Sequence, residues 1–375
     1  MTENTTYPAD IIGNQPFLLG LFLPIYKHGW TVSTAERGTD WGFDYNAGLV
    51  RTAEDLGFDL TFGFANWLGR EGYGGAMRYR EDSLDALATA AALTAITRRI
   101  AVIATIHPLY NWHPLNAARI GATLDHISGG RFGFNLVTGF KPGEAQMFGR
   151  AQALPHAERY AALEEFVTIA ERLWQRGDEL TYQGQYWSTE KAWVSPACRS
   201  GRPLMVSAAS SDTGLRYAAR HSDIVFITSP GGADINAALE TLPALNARVK
   251  AFAREEGREI RTLINPHIIC RETEAEVDQI RRHILSGADY EALDAVMEGF
   301  SGGDQSAWRG HAREERIIGG NIQIFGTPEQ VTEQCLRLKQ AGCDGIQINF
   351  FDYVPDLAFF GSRVLPLLHQ AGLRN

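Results

Sequence analysis

The amino-acid sequence predicts an α/β fold, a (β/α)8 TIM barrel with insertions that forms a single domain over residues 1–375. The chain has 375 residues and 45% hydrophobic content, which is enough to bury one large core. Short apolar runs alternate with segments of helical periodicity, in the order typical of successive βα units. Polar residues gather where several of these runs end, which is the edge that carries the active site in a parallel barrel.

Eight short apolar runs are the predicted barrel strands, because their length and composition suit strands buried on both faces. They occupy residues 17–24, 58–64, 100–105, 131–137, 203–207, 223–228, 262–270 and 345–350. Between them, apolar residues recur at a spacing of three or four and predict helices. The predicted helices cover 45–56, 83–97, 115–127, 157–174, 237–256, 274–285 and 357–368, with a further helix opened by Thr327 and Pro328.

Two insertions are predicted in this pattern. Residues 180–199 read as a β-hairpin insertion, because a Gln-Gly-Gln turn at 183–185 joins two strand-like runs. Residues 286–320 form a candidate lid, since repeated glycines supply hinges and residues such as Trp308 and Arg309 could close over a ligand. A solvated excursion without function is the alternative for this long span, which we expect to be irregular.

Composition restricts the kinds of partner. The net charge is −9 and the basic residues are spread without a run, so neither a nucleic acid nor a membrane surface is an expected partner. The four cysteines have no zinc-binding spacing, which predicts no metal site and reduced thiols. The polar N-terminus carries no apolar signal region. We therefore expect a cytoplasmic protein that acts on small molecules.

The fourth predicted strand carries the most informative polar residue. Residues 131–134 are suited to a buried strand, and the chain then changes to Asn, Thr, Gly and Glu between 135 and 144. An amide side chain on a strand buried on both faces is unfavourable unless it is hydrogen-bonded, so Asn135 should have a specific hydrogen-bond partner. A satisfied structural asparagine before a Thr-Gly turn is the alternative interpretation.

Polar groups also follow the other strands. The third strand ends in Thr105 and His107, and the histidine is open to either a structural or a functional role. The second strand leads into a glycine-rich segment, 65–75, which lacks a dinucleotide-binding GxGxxG pattern. The fifth leads into Ser210-Ser211-Asp212-Thr213-Gly214, where the free N–H groups of a helix start form either an anion site or an ordinary N-cap.

With these residues laid out, the chain resembles the bacterial luciferase-like family of flavin-dependent monooxygenases over nearly its whole length. The segment GGRFGFNLVTG at 129–139 is similar to the most recognisable segment of that family, and residues 158–160 and 209–212 follow it at the expected distances. Within the family, residues 33–46 resemble dimethyl sulfone monooxygenases. The Tyr-Gly-Gly segment at 73–75 and the NLVTG sequence resemble pyrimidine monooxygenases.

The resemblance implies a barrel that holds FMN, as FMNH2, at the C-terminal ends of its strands. Ala65 and Asn66 would flank the isoalloxazine ring, and the other flavin contacts would come from Asn135, Glu144, Arg159, Tyr160 and Ser211. Thr105 and Asn135 match positions near the reacting oxygen, which makes them the catalytic candidates. O2 would be the co-substrate, a separate NAD(P)H-dependent reductase would supply the flavin, and a homo-oligomer is expected.

Three functions are compatible with these residues. The first is a two-component monooxygenase acting on a small heteroatom-containing substrate, either of the pyrimidine or amide type or of the sulfone or sulfonate type. The second is hydride transfer with a deazaflavin, and the third is flavin binding without turnover. Basic residues in the candidate lid suit an anionic substrate, whereas Asn and Thr at the strand ends suit a neutral one, so the substrate type stays open.

Overall fold

The computed structural model describes residues 14–139, 141–175, 177–299 and 312–375 of the chain. Its strands are β1 Leu18–Phe22, β2 Leu60–Gly63, β3 Ala101–Ile106, β4 Phe132–Leu136, β5 Leu180–Gln183, β6 Ser188–Ala192, β7 Leu204–Ala208, β8 Ile224–Ile227, β9 Arg261–Ile264, β10 Pro266–Cys270, β11 Ile322–Gly326 and β12 Gly345–Ile348. Eight of them close a barrel in the order β1-β12-β9-β8-β7-β4-β3-β2. Every neighbouring pair in the barrel is parallel, which confirms the predicted fold class.

Helices surround this barrel and follow the strands. They are α1 Phe43–Asp55, α2 Ala86–Ile96, α3 Pro108–Asn111, α4 Pro114–Ser128, α5 Pro142–Met147, α6 His156–Trp174, α7 Asp212–His221, α8 Ile235–Glu255, α9 Glu274–Ser286, α10 Tyr290–Gly299, α11 Arg313–Ile318, α12 Pro328–Gln340, α13 Tyr353–Phe359 and α14 Leu365–Gln370. A π-helical turn at Phe360–Val364 joins the last two. None of the described helices is both long and apolar enough to cross a membrane.

The barrel interior is filled by apolar side chains from alternate strand positions. The inner cluster includes Ala101 and Ile103 of β3 and Leu204 of β7. Thr105 and Asn135 are register partners in β3 and β4. Since side chains alternate along a strand, Thr105 lies on the same inward face as Ala101 and Ile103, at the C-terminal end of the barrel. The strand pattern therefore brings the two catalytic candidates together.

The seventh predicted strand is wrong in its extent, because the sequence predicted one strand over 262–270 and the structure has two. β9 stays in the barrel, and β10 pairs in parallel with β11 outside it. The break falls at Asn265, whose amide bonds the backbone oxygen of Gln347 while its own carbonyl accepts from the Asn321 N–H at 2.8 Å. Pro266 follows and has no N–H with which to continue the barrel ladder.

The two predicted insertions differ in how far they are described. Leu180–Gln183 and Ser188–Ala192 pair as an antiparallel hairpin, inside the span 180–199. In the candidate lid, 286–320, residues 300–311 lie outside the described residues. Its other parts are largely helical, as the end of α9, α10 and α11, and several of their side chains join an apolar cluster. The expectation of an irregular span is wrong for these parts, because their buried apolar faces favour helices. The lid function stays a prediction.

Candidate functional site

A cavity of about 320 Å³, here named the large cavity, lies at the C-terminal ends of the barrel strands. Its floor is aromatic. The ring of Phe62 packs edge to face against Phe22 and Phe226, with centroids 4.8 and 4.9 Å away, and Trp30 packs on Phe22 at 3.9 Å. These rings come from β1, β2, β8 and the loop after β1. A rigid apolar floor of this kind suits a planar ring and keeps water away from it.

Asn135 lines this cavity and is tied to Thr105 behind it. The Asn135 Nδ2 donates to the Thr105 Oγ1 over 3.0 Å, and both side chains are buried. The Asn135 Oδ1 has no hydrogen-bond partner among the described residues, which is energetically unfavourable for a buried amide. Rotating the amide by half a turn keeps the hydrogen bond, because a hydroxyl can donate as well as accept. The pair can therefore offer a ligand either an acceptor or a donor.

A polar group lines another side of the same cavity, between α6 and the start of α7. Ser211 caps α7 by accepting from the Gly214 N–H at 3.3 Å, and its hydroxyl lies 3.4 Å from the His156 Nε2. A side chain at 214 would collide with the Tyr160 hydroxyl, so only glycine lets the tyrosine approach the helix start. Four of the predicted cofactor-binding residues, Asn135, Arg159, Tyr160 and Ser211, line this one cavity.

Arg159 carries the positive charge of this polar group. Its Nη1 donates to the Leu154 carbonyl at 2.7 Å, while its buried Nε has no partner among the described residues. Burial lowers the pKa of Arg159, which nevertheless stays charged because guanidinium groups are very weak acids. A cation and a helix start that line the same cavity fit an anion such as a phosphate.

Ala65, Asn66 and Glu144 do not line the large cavity. Ala65 and Asn66 line a second, smaller one. The Lys141 Nζ lies 3.4 Å from the Asn66 Oδ1 and 3.3 Å from a carboxylate oxygen of Glu144, and thereby links these two residues. Glu144 also accepts from the Tyr110 hydroxyl at 3.3 Å. The structure therefore groups these three predicted flavin contacts apart from the other four, and their role stays a prediction.

His107 lies in the structure as a buried, neutral ring. Burial lowers the pKa of His107 to about 4, so the imidazole is uncharged at neutral pH. Its ring packs on Tyr110 with a centroid distance of 5.4 Å and does not line the large cavity. This placement favours the structural interpretation. No group of three or more His, Cys, Asp or Glu side chains in the described ranges is arranged to hold a metal ion.

Arg80 and Trp30 are among the cavity residues that sequence reasoning did not assign to the site. Arg80 lies after the glycine-rich segment and lines both cavities, so the two meet at its side chain. Its backbone is left-handed, with φ of 58°, which is uncommon for a residue other than glycine. Trp30 belongs to the long loop after β1, and its buried Nε1 has no partner in the described ranges. Neither residue ends a strand, so the pattern that pointed to Asn135 could not find them.

Comparisons with known proteins identify the family of the chain. The family model described as luciferase-like monooxygenase matches residues 18–345. The chain is 30% identical over 368 residues to an FMNH2-dependent dimethylsulfone monooxygenase of Pseudomonas fluorescens, covering 96% of each protein. It is 31% identical over 361 residues to the pyrimidine monooxygenase RutA of Acinetobacter baylyi, covering 93% of this chain and 94% of that protein.

The crystal structure of DmoA from Hyphomicrobium sulfonivorans superimposes with a TM-score of 0.82 at 19% identity, covering 96% of this chain and 90% of DmoA. At that identity the superposition shows a shared fold. The family model, by contrast, spans most of the chain, and it confirms both the predicted family and the prediction that the protein is an enzyme. The chain belongs to the luciferase-like monooxygenase family.

Proposed function

We propose that this protein is the oxygenase of a two-component system. It would use reduced FMN from a separate NAD(P)H-dependent reductase, together with O2, to oxidise a small substrate of the pyrimidine or amide type or of the sulfone or sulfonate type. Support comes from the named activities of two relatives that align with over nine-tenths of the chain, the dimethylsulfone and pyrimidine monooxygenases. A homo-oligomeric state stays a prediction.

The residues around the large cavity fit FMN. The start of α7, capped by Ser211, and the guanidinium of Arg159 would hold the phosphate, and Tyr160 packs beside them. The aromatic floor would lie against the flavin ring. Reduced FMN, when bound, supplies the electrons with which O2 is activated. The protein's own contribution is to exclude water through its aromatic side chains and to place the Asn135 amide, held by Thr105, beside the reacting atoms.

One observation carries this proposal. Arg159 and Asn135 line the same cavity, and each is buried with a polar atom that no described residue satisfies. Buried polar atoms in folded proteins are nearly always hydrogen-bonded, so an exception in a cavity indicates a missing partner. A phosphate supplies acceptors for Arg159, and a flavin ring offers both donors and acceptors to Asn135.

Anaerobic titration with reduced FMN tests the phosphate site. Arg159→Ala should weaken FMN binding by about tenfold to a hundredfold, because a charge-assisted hydrogen bond contributes roughly 1.5–3 kcal/mol. Ser211→Ala should weaken it by a smaller factor. Arg172→Ala is the matched control, since Arg172 lies exposed on the same helix and away from the cavity. Unchanged affinity in both cavity variants would place the phosphate elsewhere.

A second measurement separates the alternatives. Oxygen consumption that depends on both reduced FMN and substrate is expected of a monooxygenase. Hydride transfer with a deazaflavin would proceed without O2, and a flavin-binding protein without turnover would form no product from uracil, dimethyl sulfone or a small sulfonate.

A further inference from the structure

Arg80 is a buried cation inside an aromatic cage at the edge of the large cavity. The residue is 5% exposed, and its guanidinium lies over the rings of Tyr26, Trp30 and Tyr79 at 4.3, 4.6 and 4.9 Å from their centroids. Such rings stabilise a cation through their quadrupoles and hold it in one position. They do not neutralise its charge.

No carboxylate in the described parts of the chain pairs with Arg80. Its hydrogen bond from Nε to the Gly29 carbonyl is long at 3.4 Å, and its side-chain hydrogen-bond partner is the uncharged Tyr79 hydroxyl. Two other buried arginines, Arg131 and Arg374, are satisfied. Arg131 makes four hydrogen bonds with three carbonyls and a hydroxyl, and Arg374 pairs with Asp59 at 2.6 Å. A buried charge without a counter-charge is unfavourable, so Arg80 stands out as a site that lacks its anion.

The charges that line the cavity have one sign. Arg80, Arg159 and Arg316 line it, and no aspartate or glutamate is found among its described lining residues. In the strand order β2-β3-β4-β7, three steps separate the strand that precedes Arg80 from the strand that precedes Ser211. The cavity therefore has cations on two sides, and a phosphate held beside Ser211 and Arg159 leaves Arg80 available.

The backbone at Arg80 is held in one conformation by the surrounding turn. The residue adopts φ of 58°, a conformation that glycine would adopt without strain. The surrounding turn holds it there through the Tyr73 N–H bond to the Tyr79 carbonyl at 2.8 Å and the Glu81 N–H bond to the Arg78 carbonyl at 3.1 Å. Strain of this kind persists where the surrounding structure enforces it, and it is concentrated at binding sites.

We propose that Arg80 binds the charged group of the substrate, and that the substrate is a small organic oxyanion, a sulfonate or a carboxylate. This inference rests on the proposed function and narrows its substrate class. The planar guanidinium can donate two parallel hydrogen bonds to such a group. The Nε1 of Trp30, whose ring packs on Arg80, has no partner among the residues that the structure describes and is a further donor. Neutral sulfones and pyrimidines leave the charge of Arg80 uncompensated.

Matched pairs of ligands test the charge directly. Methanesulfonate is paired with dimethyl sulfone, and 1-butanesulfonate with butyl methyl sulfone. In each pair the neutral sulfone has a methyl group where the sulfonate has a charged oxygen, and the two molecules have nearly the same shape. Pentanoate and 2-hexanone form the corresponding carboxylate pair. Calorimetric titration of the protein saturated with reduced FMN, without O2, measures binding rather than turnover. The anion of at least one pair should bind at least tenfold more tightly than its neutral partner, and the pair that shows this distinguishes a sulfonate site from a carboxylate site.

Two variants assign the preference to Arg80. Arg80→Gln should weaken the anion at least tenfold and leave the neutral partner unchanged, whereas Arg80→Lys should keep part of the preference. Arg78→Gln is the matched control. It removes the same charge two residues away, at a position that also has positive φ but is exposed and does not line the cavity. Its anion affinity should equal that of the wild type.

Three results would overturn the inference. One is a wild-type protein that binds each neutral partner as tightly as its anion, which needs no variant to observe. Another is an anion affinity of Arg80→Gln equal to that of the wild type. The third is a loss of FMN affinity in Arg80→Gln with no loss of its preference for the anion, which would assign Arg80 to flavin binding. FMN affinity is measured separately, with the Arg159 variant. An error in the proposed flavin site would therefore change the FMN titrations, whereas an error in the proposed anion site would change only the comparison of anionic with neutral ligands.

Discussion

Replacing Asn135 by leucine separates a functional amide from a structural one. Leucine nearly matches asparagine in shape but has no hydrogen-bonding groups. Within the part of the chain that the structure describes, Asn135 makes one side-chain hydrogen bond, to Thr105 at 3.0 Å, and its buried Oδ1 has no partner. The protein therefore carries an unsatisfied polar atom at this position, and the substitution removes it.

The effect on stability should be small. Loss of one hydrogen bond costs about 0.5–1.5 kcal/mol, and removal of an unsatisfied buried acceptor recovers roughly 1–3 kcal/mol. The two contributions oppose each other, and at their central values the free energy of unfolding without ligand should rise by about 1 kcal/mol. Turnover should fall by about a hundredfold or more at saturating substrate, because a donor placed beside developing negative charge contributes roughly 3 kcal/mol.

Asn246→Leu is the matched control, because Asn246 is another buried asparagine bonded to a threonine. Its Nδ2 donates to the carbonyls of Leu242 and Ala341 at 3.0 and 2.9 Å, and its Oδ1 accepts from Thr262 at 2.6 Å. It lies in α8, away from the cavity. This variant should lose about 3 kcal/mol of stability, roughly 1 kcal/mol for each bond, and keep its turnover per folded molecule.

Urea denaturation and steady-state turnover with a flavin reductase supplied measure the two quantities. A large loss of stability in Asn135→Leu together with near wild-type turnover of the folded protein would refute the reasoning, since Asn135 would then act as a structural bracket. Thr105→Val should show a similar loss of turnover, but a smaller one, because it removes only the group that orients the amide.

Two further predictions concern stability. Burial alone would lower the pKa of His221, but its hydrogen bonds, including one to Glu164 at 2.7 Å, raise that pKa to about 8. Because the pKa is raised on folding, protonated His221 stabilises the fold fully below about pH 6.5, and this stabilisation is lost as pH rises through 8. In urea denaturation, His221→Asn should therefore lower the free energy of unfolding by about 2 kcal/mol more at pH 6 than at pH 9. An equal loss at both pH values would contradict this. Gly133→Ala would bring a methyl group to 2.5 Å from the Ile103 Cδ1 inside the barrel and should cost about 1–3 kcal/mol by the same measurement, whereas Gly48→Ala, where α1 has open space, should be neutral or stabilising.

The sequence predicted the barrel because its eight strands and most of its helices carry local signals. The apolar run at 131–134 and the helical spacing across 157–174 are patterns that the chain retains in the structure as β4 and α6. Asn135 could be singled out for the same reason, since an amide at the end of a buried strand is anomalous whatever surrounds it.

Other features depended on contacts between distant residues. The seventh strand breaks at Asn265 because Gln347 and Asn321, far along the chain, bond its amide and carbonyl, and the partner strand β11 was not predicted. The role of Arg80 also could not be predicted from the sequence. In the sequence it is one arginine among several after a glycine-rich segment, and nothing local says whether a carboxylate neutralises it.

The sequence by itself determined the fold class, the family and the position of Asn135 at the mouth of the barrel. Only the tertiary structure decided which charges are paired and which polar atoms are left without partners, because pairing depends on side chains that the fold brings together from different strands and loops. Arg80 packs on Trp30, and Arg159 lines the same cavity as the start of α7. These neighbours, together with the absence of a carboxylate among the described residues that line the cavity, make the two arginines candidate anion-binding residues.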